Sequence, residues 1–146
     1  MNNPNKTGMF IKIMTKKILF VCVENAGRSQ MAEAFFRKYL PAGFEPISAG
    51  TKPALKINPI VAQAMKEVGI DIENNHPQNI SQQMMDEAEN TINMGCIDKE
   101  SCPALFLKNV DDWQILDPKG RSIEEVREIR DQIEKKVKDL INNLSR

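Results

Sequence analysis

The sequence predicts an α/β fold: a four-stranded parallel sheet flanked by helices on both faces. Strand-like and helical patterns alternate along the chain, and residues 17–22 form an apolar run, typical of a central strand buried on both faces. The 146 residues, 41% hydrophobic and 27% charged, suit one domain. We expect that domain at residues 16–146, preceded by a flexible extension at residues 1–15.

The first half of the domain predicts a βαβα unit. A polar turn follows the first strand, and residues 28–40 carry a helical apolar stripe that ends before Pro41. Residues 44–49 form the second predicted strand. Asn58 and Pro59 then supply an N-cap and a first-turn proline for a helix that stops at Gly69.

The second half contributes two short strands and a long helix. A short helix is predicted at residues 81–88, a third strand at 90–94 and a fourth at 113–116. The last helix starts with Ser122 and Glu125, which have the spacing of a capping box, and its apolar stripe continues to Leu144. Ligands of such a sheet gather beyond the carboxyl ends of its strands.

Charge and cysteine content exclude several classes of function. Basic and acidic residues number 20 each, so no net field attracts nucleic acid or an anionic membrane. No apolar run is long enough to cross a bilayer, and Lys12 interrupts the first apolar stretch, unlike a signal peptide. Three cysteines are too few for a disulfide scaffold. We expect a cytoplasmic monomer whose thiols stay free unless function oxidises them.

The loop between the first strand and the first helix contains the parts of an anion site. Cys22 ends the strand, and five residues separate it from Arg28. Backbone N–H groups of such a turn, together with the helix dipole, form a seat for a tetrahedral anion. The planar fork of an arginine clamps two oxyanion oxygens. The predicted anion-binding residues are Val23, Glu24, Asn25, Ala26, Gly27 and Arg28.

Cys22 is the predicted nucleophile. The positive field that holds an anion also stabilises a thiolate and lowers the pKa of the Cys22 thiol, while Ser29 is placed to donate its hydroxyl to the sulfur. A purely structural interpretation, a buried cysteine followed by a surface arginine, does not explain why strand, tight loop, Arg-Ser pair and helix occur together.

The run Val21-Cys-Val-Glu-Asn-Ala-Gly-Arg-Ser-Gln-Met-Ala-Glu33 resembles the motif of the low-molecular-weight protein tyrosine phosphatase superfamily: Cys, five residues, then Arg-Ser. Its Gln-Met-Ala-Glu end is similar to the arsenate reductases that regenerate through thioredoxin. The resemblance extends from about Lys17 to the C-terminus and implies a flavodoxin-like sheet. Many relatives carry glycine where this chain has Glu24, which places a carboxylate near the anion.

The resemblance also bears on metal binding. The family's potassium site, where present, uses residues that match Asn25, Glu33 and Ser48 together with an Asp. Asn79 stands at the Asp position in this chain, so potassium is not claimed here, and no metal ligand is assigned.

Oxyanion chemistry also requires an acid for the departing oxygen, and Asp117 is the candidate. Asp-Pro is a common turn pair, but Asp117 follows a predicted strand on the side of the sheet that carries the nucleophile. Asp111 and Asp112 are the alternatives. In the tyrosine phosphatases that the chain resembles, aromatic residues usually follow this pair, whereas Lys119-Gly120 follows it here. Small inorganic oxyanions therefore suit the sequence better than phosphotyrosine.

Two further cysteines, Cys96 and Cys102, follow the third predicted strand. A phosphatase needs no further thiol, whereas a reductase needs one to attack the Cys22 adduct and another to move the disulfide to an accessible place. The pair is similar to the second and third redox cysteines of the reductases. This resemblance implies that Cys96 attacks Cys22 and that Cys102 resolves the disulfide for a thioredoxin-like reductant. Gly95 and the polar loop after it are expected to permit the motion.

The sequence thus predicts an arsenate reductase that needs no cofactor, with Cys22, Arg28, Ser29, Cys96, Cys102 and Asp117 as its catalytic residues. The alternative enzyme is a low-molecular-weight protein tyrosine phosphatase that uses Cys22, Arg28 and Asp117. A non-enzymatic alternative, an arsenite or thiol sensor with three cysteine ligands, leaves Arg28 and Asp117 unexplained. Zinc is disfavoured because five residues separate Cys96 from Cys102 and His76, predicted to be a loop or capping residue, lies far away in sequence.

Overall fold

The computed structural model describes residues 15–95, 100, 102–108 and 110–144. Its four parallel strands, in the order β2-β1-β3-β4, are β1 (Lys16–Cys22), β2 (Phe44–Gly50), β3 (Ala88–Asn93) and β4 (Val110–Asp112). The helices are α1 (Arg28–Lys38), α2 (Pro59–Lys66), α3 (Gln82–Glu87) and α4 (Ile123–Leu144), with a 3-10 helix at Pro103–Leu107. The predicted α/β class and four-stranded parallel sheet are confirmed. None of the described helices is both long and apolar enough to span a membrane.

The side chains of β1 alternate between two apolar layers, because successive residues of a strand point to opposite faces. Ile18, Phe20 and Cys22 join the core that α1, α2 and α4 cover. Leu19 and Val21 pack on the other face, against residues of β2, β3, α3 and the 3-10 helix. The residues from Ile18 to Val21 are fully buried. This burial on both faces explains why the first strand is apolar without alternation.

Polar side chains fix where three helices begin. Asn58 Oδ1 accepts a hydrogen bond from the backbone N–H of Ile60 at 2.9 Å, and Ser81 caps α3 in the same manner. Ser122 Oγ accepts from the N–H of Glu125 at 3.2 Å and lies 3.3 Å from its carboxylate. Each cap satisfies N–H groups that the first helical turn leaves without a partner. The predicted starts of α2, α3 and α4 are therefore confirmed.

The prediction of the fourth strand at residues 113–116 was wrong, because β4 comes earlier, at Val110–Asp112. The chain does continue beside β3, since Trp113 N donates to Asn93 O at 2.9 Å. Gln114, however, has a φ of 52°, which breaks the extended conformation. The true strand is short, lies at the sheet edge and carries two exposed aspartates, which discourage edge-to-edge pairing. Because two of its three residues are charged, β4 lacks the apolar pattern by which strands were predicted.

Other boundaries differ by a few residues from those predicted. β1 begins at Lys16 and β2 ends at Gly50, while the third strand is Ala88–Asn93 and not 90–94. The first helix ends at Lys38 and not at residue 40, and α3 lies within the predicted 81–88. α2 ends at Lys66, and the following turn uses the positive φ of 82° at Gly69.

Candidate active site

A pocket of about 220 Å³ opens at the carboxyl end of β1. It lies where β1 passes through a short loop into the N-terminus of α1, the position predicted for the anion site. Its lining residues come from the end of β1, the loop and start of α1, the N-cap of α2, and the segment after β4: Cys22, Val23, Glu24, Ala26, Gly27, Arg28, Asn58, Asp117, Pro118 and Lys119. The pocket thus brings the predicted nucleophile, arginine and acid together.

The carbonyl groups of the loop point away from the pocket, because the segment after β2 binds them. The backbone N–H groups of residues 51, 52, 54 and 58 donate to the carbonyls of residues 22, 23, 24 and 26 at 2.8–3.3 Å. Gln30 Nε2 donates to the fifth carbonyl, that of Asn25, at 3.1 Å. In a trans peptide the N–H points opposite to the C=O. The N–H groups of residues 23–27 are therefore turned inward, as an anion seat requires.

The loop needs two residues of special conformation or size. Asn25 has a φ of 52°, in the left-handed region that asparagine tolerates better than most residues. Gly50 of β2 leaves room for the loop, since a Cβ there would lie 2.5 Å from Val23 O. The backbone N–H of Asn25 donates to Cys22 Sγ at 3.2 Å. The loop conformation therefore places a hydrogen-bond donor on the sulfur.

A directed hydrogen-bond chain ends on Cys22. Asn25 Oδ1 accepts from the backbone N–H of Gln78 at 2.9 Å, which fixes the orientation of the Asn25 amide. Asn25 Nδ2 then donates to Ser29 Oγ at 2.7 Å. Ser29 Oγ lies 2.9 Å from Cys22 Sγ, so its own proton is free to point at the sulfur. Either atom of this pair can donate, and a hydrogen bond donated by Ser29 would stabilise negative charge on the sulfur.

Gln30 also belongs to this hydrogen-bond network, although no role was predicted for it from the sequence. It is 3% exposed, and its Nε2 donates to both the backbone carbonyl and Oδ1 of Asn25. Asn75 Nδ2 donates in turn to Gln30 Oε1 at 3.3 Å. Gln30 therefore holds Asn25 in the conformation from which it reaches Ser29. Its presence in the sequence motif was the only available signal.

Replacement of Gln30 by methionine is expected to make Cys22 less reactive at neutral pH. Methionine keeps the volume but removes both donated hydrogen bonds, so the thiolate loses support through Asn25 and Ser29. We expect alkylation of Cys22 by iodoacetamide at pH 7 to slow by about fivefold, with its pH profile displaced upward. Peptide mass spectrometry measures the modification of each cysteine. Gln63→Met, on the exposed face of α2, is the matched control and leaves the profile unchanged.

Arg28 is held rigidly at the first position of α1. Its side chain is 9% exposed, and Nη1 donates to the Ile115 carbonyl at 2.8 Å. Nη2 lies 3.7 Å from Asp117 Oδ2. The anchored guanidinium leaves further N–H groups for an oxyanion in the pocket.

Asp117 reaches the pocket, whereas the two alternative acids do not. Asp117 Oδ1 accepts from Lys119 N at 3.0 Å, and Arg121 Nε donates to Asp117 O at 2.7 Å, so a turn orients the carboxylate. Asp111 and Asp112 belong to β4 and are absent from the pocket lining. Of the three candidate acids, Asp117 is therefore the one that lines the pocket.

The second and third cysteines are described only in part. Cys96 lies outside the described residues, so its predicted position beside Cys22 stays a prediction. Cys102 is a free, half-buried thiol directly before the 3-10 helix. It packs with the apolar layer of Leu19 and Val21, whereas Cys22 belongs to the opposite layer.

Gly95 is constrained in this structure. It has a φ of 105°, and a Cβ at this position would lie 2.6 Å from Gln114 Cα. Close backbone contact thus requires a glycine here.

Two side chains at the potassium position that the resemblance implies already have partners within the protein. Asn25 Oδ1 is already contacted by two donors, Gln78 N and Gln30 Nε2. The carboxylate of Glu33 lies 3.5 Å from the guanidinium of Arg37, a resident cation. These residues do not fit a potassium ion. Across the described ranges no group of three His, Cys, Asp or Glu side chains forms a metal site.

Comparison with known proteins agrees with this geometry. A sequence model described as low molecular weight phosphotyrosine protein phosphatase matches residues 17–146. A glutaredoxin arsenate reductase of Synechocystis sp. is 34% identical over 131 residues, which cover 89% of this chain and 99% of that protein.

Two solved structures extend the comparison. An arsenate reductase in the phosphate binding state is 32% identical, with a TM-score of 0.78, over 88% of this chain and 98% of the other. The thioredoxin-dependent arsenate reductase of Corynebacterium glutamicum is 29% identical, with a TM-score of 0.74, over 97% of this chain and 72% of the other.

Proposed function

The chain belongs to the low molecular weight phosphotyrosine protein phosphatase family, and from this premise we propose that it is an arsenate reductase. The observation that carries the proposal is the lining of the pocket. Among the residues that the structure describes, the lining contains the guanidinium of Arg28, the ammonium of Lys119 paired with Glu24, and no aromatic ring. A phenyl ring finds no stacking partner there, whereas a tetrahedral oxyanion needs only N–H groups and cations. The named arsenate reductases among its relatives support the same choice of substrate.

The first step is attack by the Cys22 thiolate on arsenic. The inward N–H groups of residues 23–27 and the guanidinium of Arg28 hold the arsenate oxygens and stabilise the charge that develops. Asp117 gives its proton to the departing oxygen, which leaves as water. An S–As bond has then replaced an As–O bond, and arsenic is still pentavalent. Ser29 keeps the nucleophile as a thiolate before this attack.

The second step reduces arsenic. The Cys96 thiolate attacks Cys22 Sγ, a disulfide forms, and the S–As bond breaks with its electron pair left on arsenic. Trivalent arsenic leaves as arsenite. Cys102 then attacks Cys96 Sγ and releases the Cys22 thiolate for another cycle. Two thiols have supplied the two electrons.

The third step requires an external dithiol reductant. The Cys96–Cys102 disulfide is the form that a thioredoxin-like protein would reduce by thiol–disulfide exchange. The Synechocystis relative is a glutaredoxin arsenate reductase, and the Corynebacterium glutamicum relative is a thioredoxin-dependent one. We propose a thioredoxin-like protein for this chain, because its Gln-Met-Ala-Glu run at residues 30–33 resembles that of the thioredoxin-coupled reductases.

The assay that tests this function compares two reactions of one preparation. With thioredoxin, thioredoxin reductase and NADPH, arsenate should drive continuous NADPH oxidation, and replacement of thioredoxin by glutaredoxin and glutathione should support it less well. Hydrolysis of p-nitrophenyl phosphate should be slow. Rapid hydrolysis of the aryl phosphate with no arsenate-dependent oxidation under either reductant would instead identify a phosphatase that uses Cys22, Arg28 and Asp117.

A further inference from the structure

An ion pair spans the mouth of the pocket. Lys119 Nζ donates to Glu24 Oε1 at 2.8 Å and connects the segment after β4 to the anion-binding loop. Glu24 raises the pKa of Lys119, mainly through this hydrogen bond, so the lysine stays charged. Both residues line the pocket. The carboxylate that was unexpected beside an anion site therefore has a specific partner.

Two other contacts hold the same segments together. The backbone N–H of Lys119 donates to Asp117 Oδ1 at 3.0 Å. Pro118 packs against Gly27 so closely that a Cβ on Gly27 would lie 3.0 Å from Pro118 Cγ. These contacts and the ion pair thus hold Asp117, Pro118 and Lys119 against the anion-binding loop.

We propose that the Glu24–Lys119 ion pair is a specificity-determining latch, which admits a free tetrahedral oxyanion and hinders esters that carry an organic group. The proposal rests on the proposed function, because it explains the choice between two substrates of the same site. The latch is defined here as the side chains of Glu24 and Lys119.

The direction of the reaction places an ester's organic group at the latch. Cys22 attacks from the floor of the pocket, so the departing oxygen points away from it, toward Asp117. In arsenate that oxygen carries only a proton. In an aryl phosphate it carries a ring, which must extend past Asp117 toward Lys119 and its ion pair with Glu24. The latch therefore obstructs the ester and leaves the inorganic ion unhindered.

The charges of the latch also compensate each other. An unpaired carboxylate at residue 24 would repel a bound oxyanion, and an unpaired ammonium at residue 119 would attract it. Paired, they leave the field of Arg28 and the loop N–H groups nearly unchanged. Because both side chains are substantially exposed, the pair is weak enough to open occasionally. The aryl ester is therefore disfavoured but not fully excluded.

The test is the substrate preference of variants that break the latch. Glu24→Ala and Lys119→Ala should each raise kcat/KM for p-nitrophenyl phosphate, relative to kcat/KM for arsenate reduction, by about fivefold. The charge-swapped double variant, Glu24→Lys with Lys119→Glu, should restore the ratio of the wild type. Lys17→Met is the matched control, because it removes the exposed ion pair with Glu87 at 2.9 Å, near the opposite end of β1. It should leave the ratio unchanged.

The result that overturns the latch is an unchanged ratio in both single variants, or a charge-swapped variant that behaves like them. The experiment also distinguishes a protein that is not an arsenate reductase from one in which the latch does not determine specificity. If the wild type reduces no arsenate, the inhibition constant of inorganic phosphate replaces arsenate turnover as the reference. The rise in aryl phosphate hydrolysis on breaking the latch is then still measured.

Discussion

Replacement of Cys96 by serine is expected to abolish arsenate turnover and to leave aryl phosphate hydrolysis intact. Serine cannot attack the sulfur of the Cys22 adduct to form a disulfide, so the electron pair never reaches arsenic. Water still hydrolyses a phosphoryl group on Cys22, because that step needs no second thiol. The measurements are NADPH oxidation with thioredoxin and release of p-nitrophenol by the same variant.

Cys102→Ser provides the matched control for this prediction. Its Cys96 still releases arsenite once, but the resulting Cys22–Cys96 disulfide has no internal thiol to resolve it. We therefore expect one arsenite per chain from Cys102→Ser and none from Cys96→Ser. Undiminished turnover of arsenate by Cys96→Ser would contradict the relay.

Arg28→Lys is expected to lower kcat/KM for both substrates by about 10²–10³-fold. An ammonium retains the charge but loses the planar fork, which is anchored on Ile115 O and lines the pocket. Both reactions share the first step, so both should fall together. Steady-state kinetics with arsenate and with p-nitrophenyl phosphate measure this loss.

Arg130→Lys is the control for the loss of a buried guanidinium. Arg130 is 8% exposed, like Arg28, and its Nη1 donates to a backbone carbonyl, Ala64 O, at 2.8 Å. It ties α4 to α2 and lies outside the pocket lining. Its replacement should lower thermal stability while kcat/KM of the folded protein stays close to the wild-type value. Equal losses of activity in the two variants would indicate that Arg28 acts only through folding.

The first half of the site was predictable because its determinants are local. An apolar strand, a five-residue loop and a helix start place Cys22, Arg28 and Ser29 by covalent connection. The pocket lining contains Cys22 and the predicted anion-binding residues except Asn25. Asp117 was chosen over Asp111 and Asp112 from the side of the sheet on which its strand should end. Asp117 does line the pocket, although the strand before it was predicted at the wrong residues.

The rest of the site depends on contacts between distant segments. The segment that orients the loop carbonyls, residues 51–58, has no regular structure ahead of the α2 cap and no motif. Gln78 contacts Asn25 across 53 positions, and Lys119 contacts Glu24 across 95. No periodicity or spacing encodes such pairs. The Glu24 carboxylate therefore appeared unfavourable beside an anion site, because only the folded structure brings the Lys119 ammonium next to it.

A single turnover without any reductant tests the three-cysteine relay most directly. The fully reduced protein, with its three thiols, is mixed with excess arsenate, and arsenite and free thiols are both counted. The relay predicts one arsenite per chain and a fall from three free thiols to one, with the disulfide located by mass spectrometry between Cys96 and Cys102. Three intact thiols and no arsenite would contradict it.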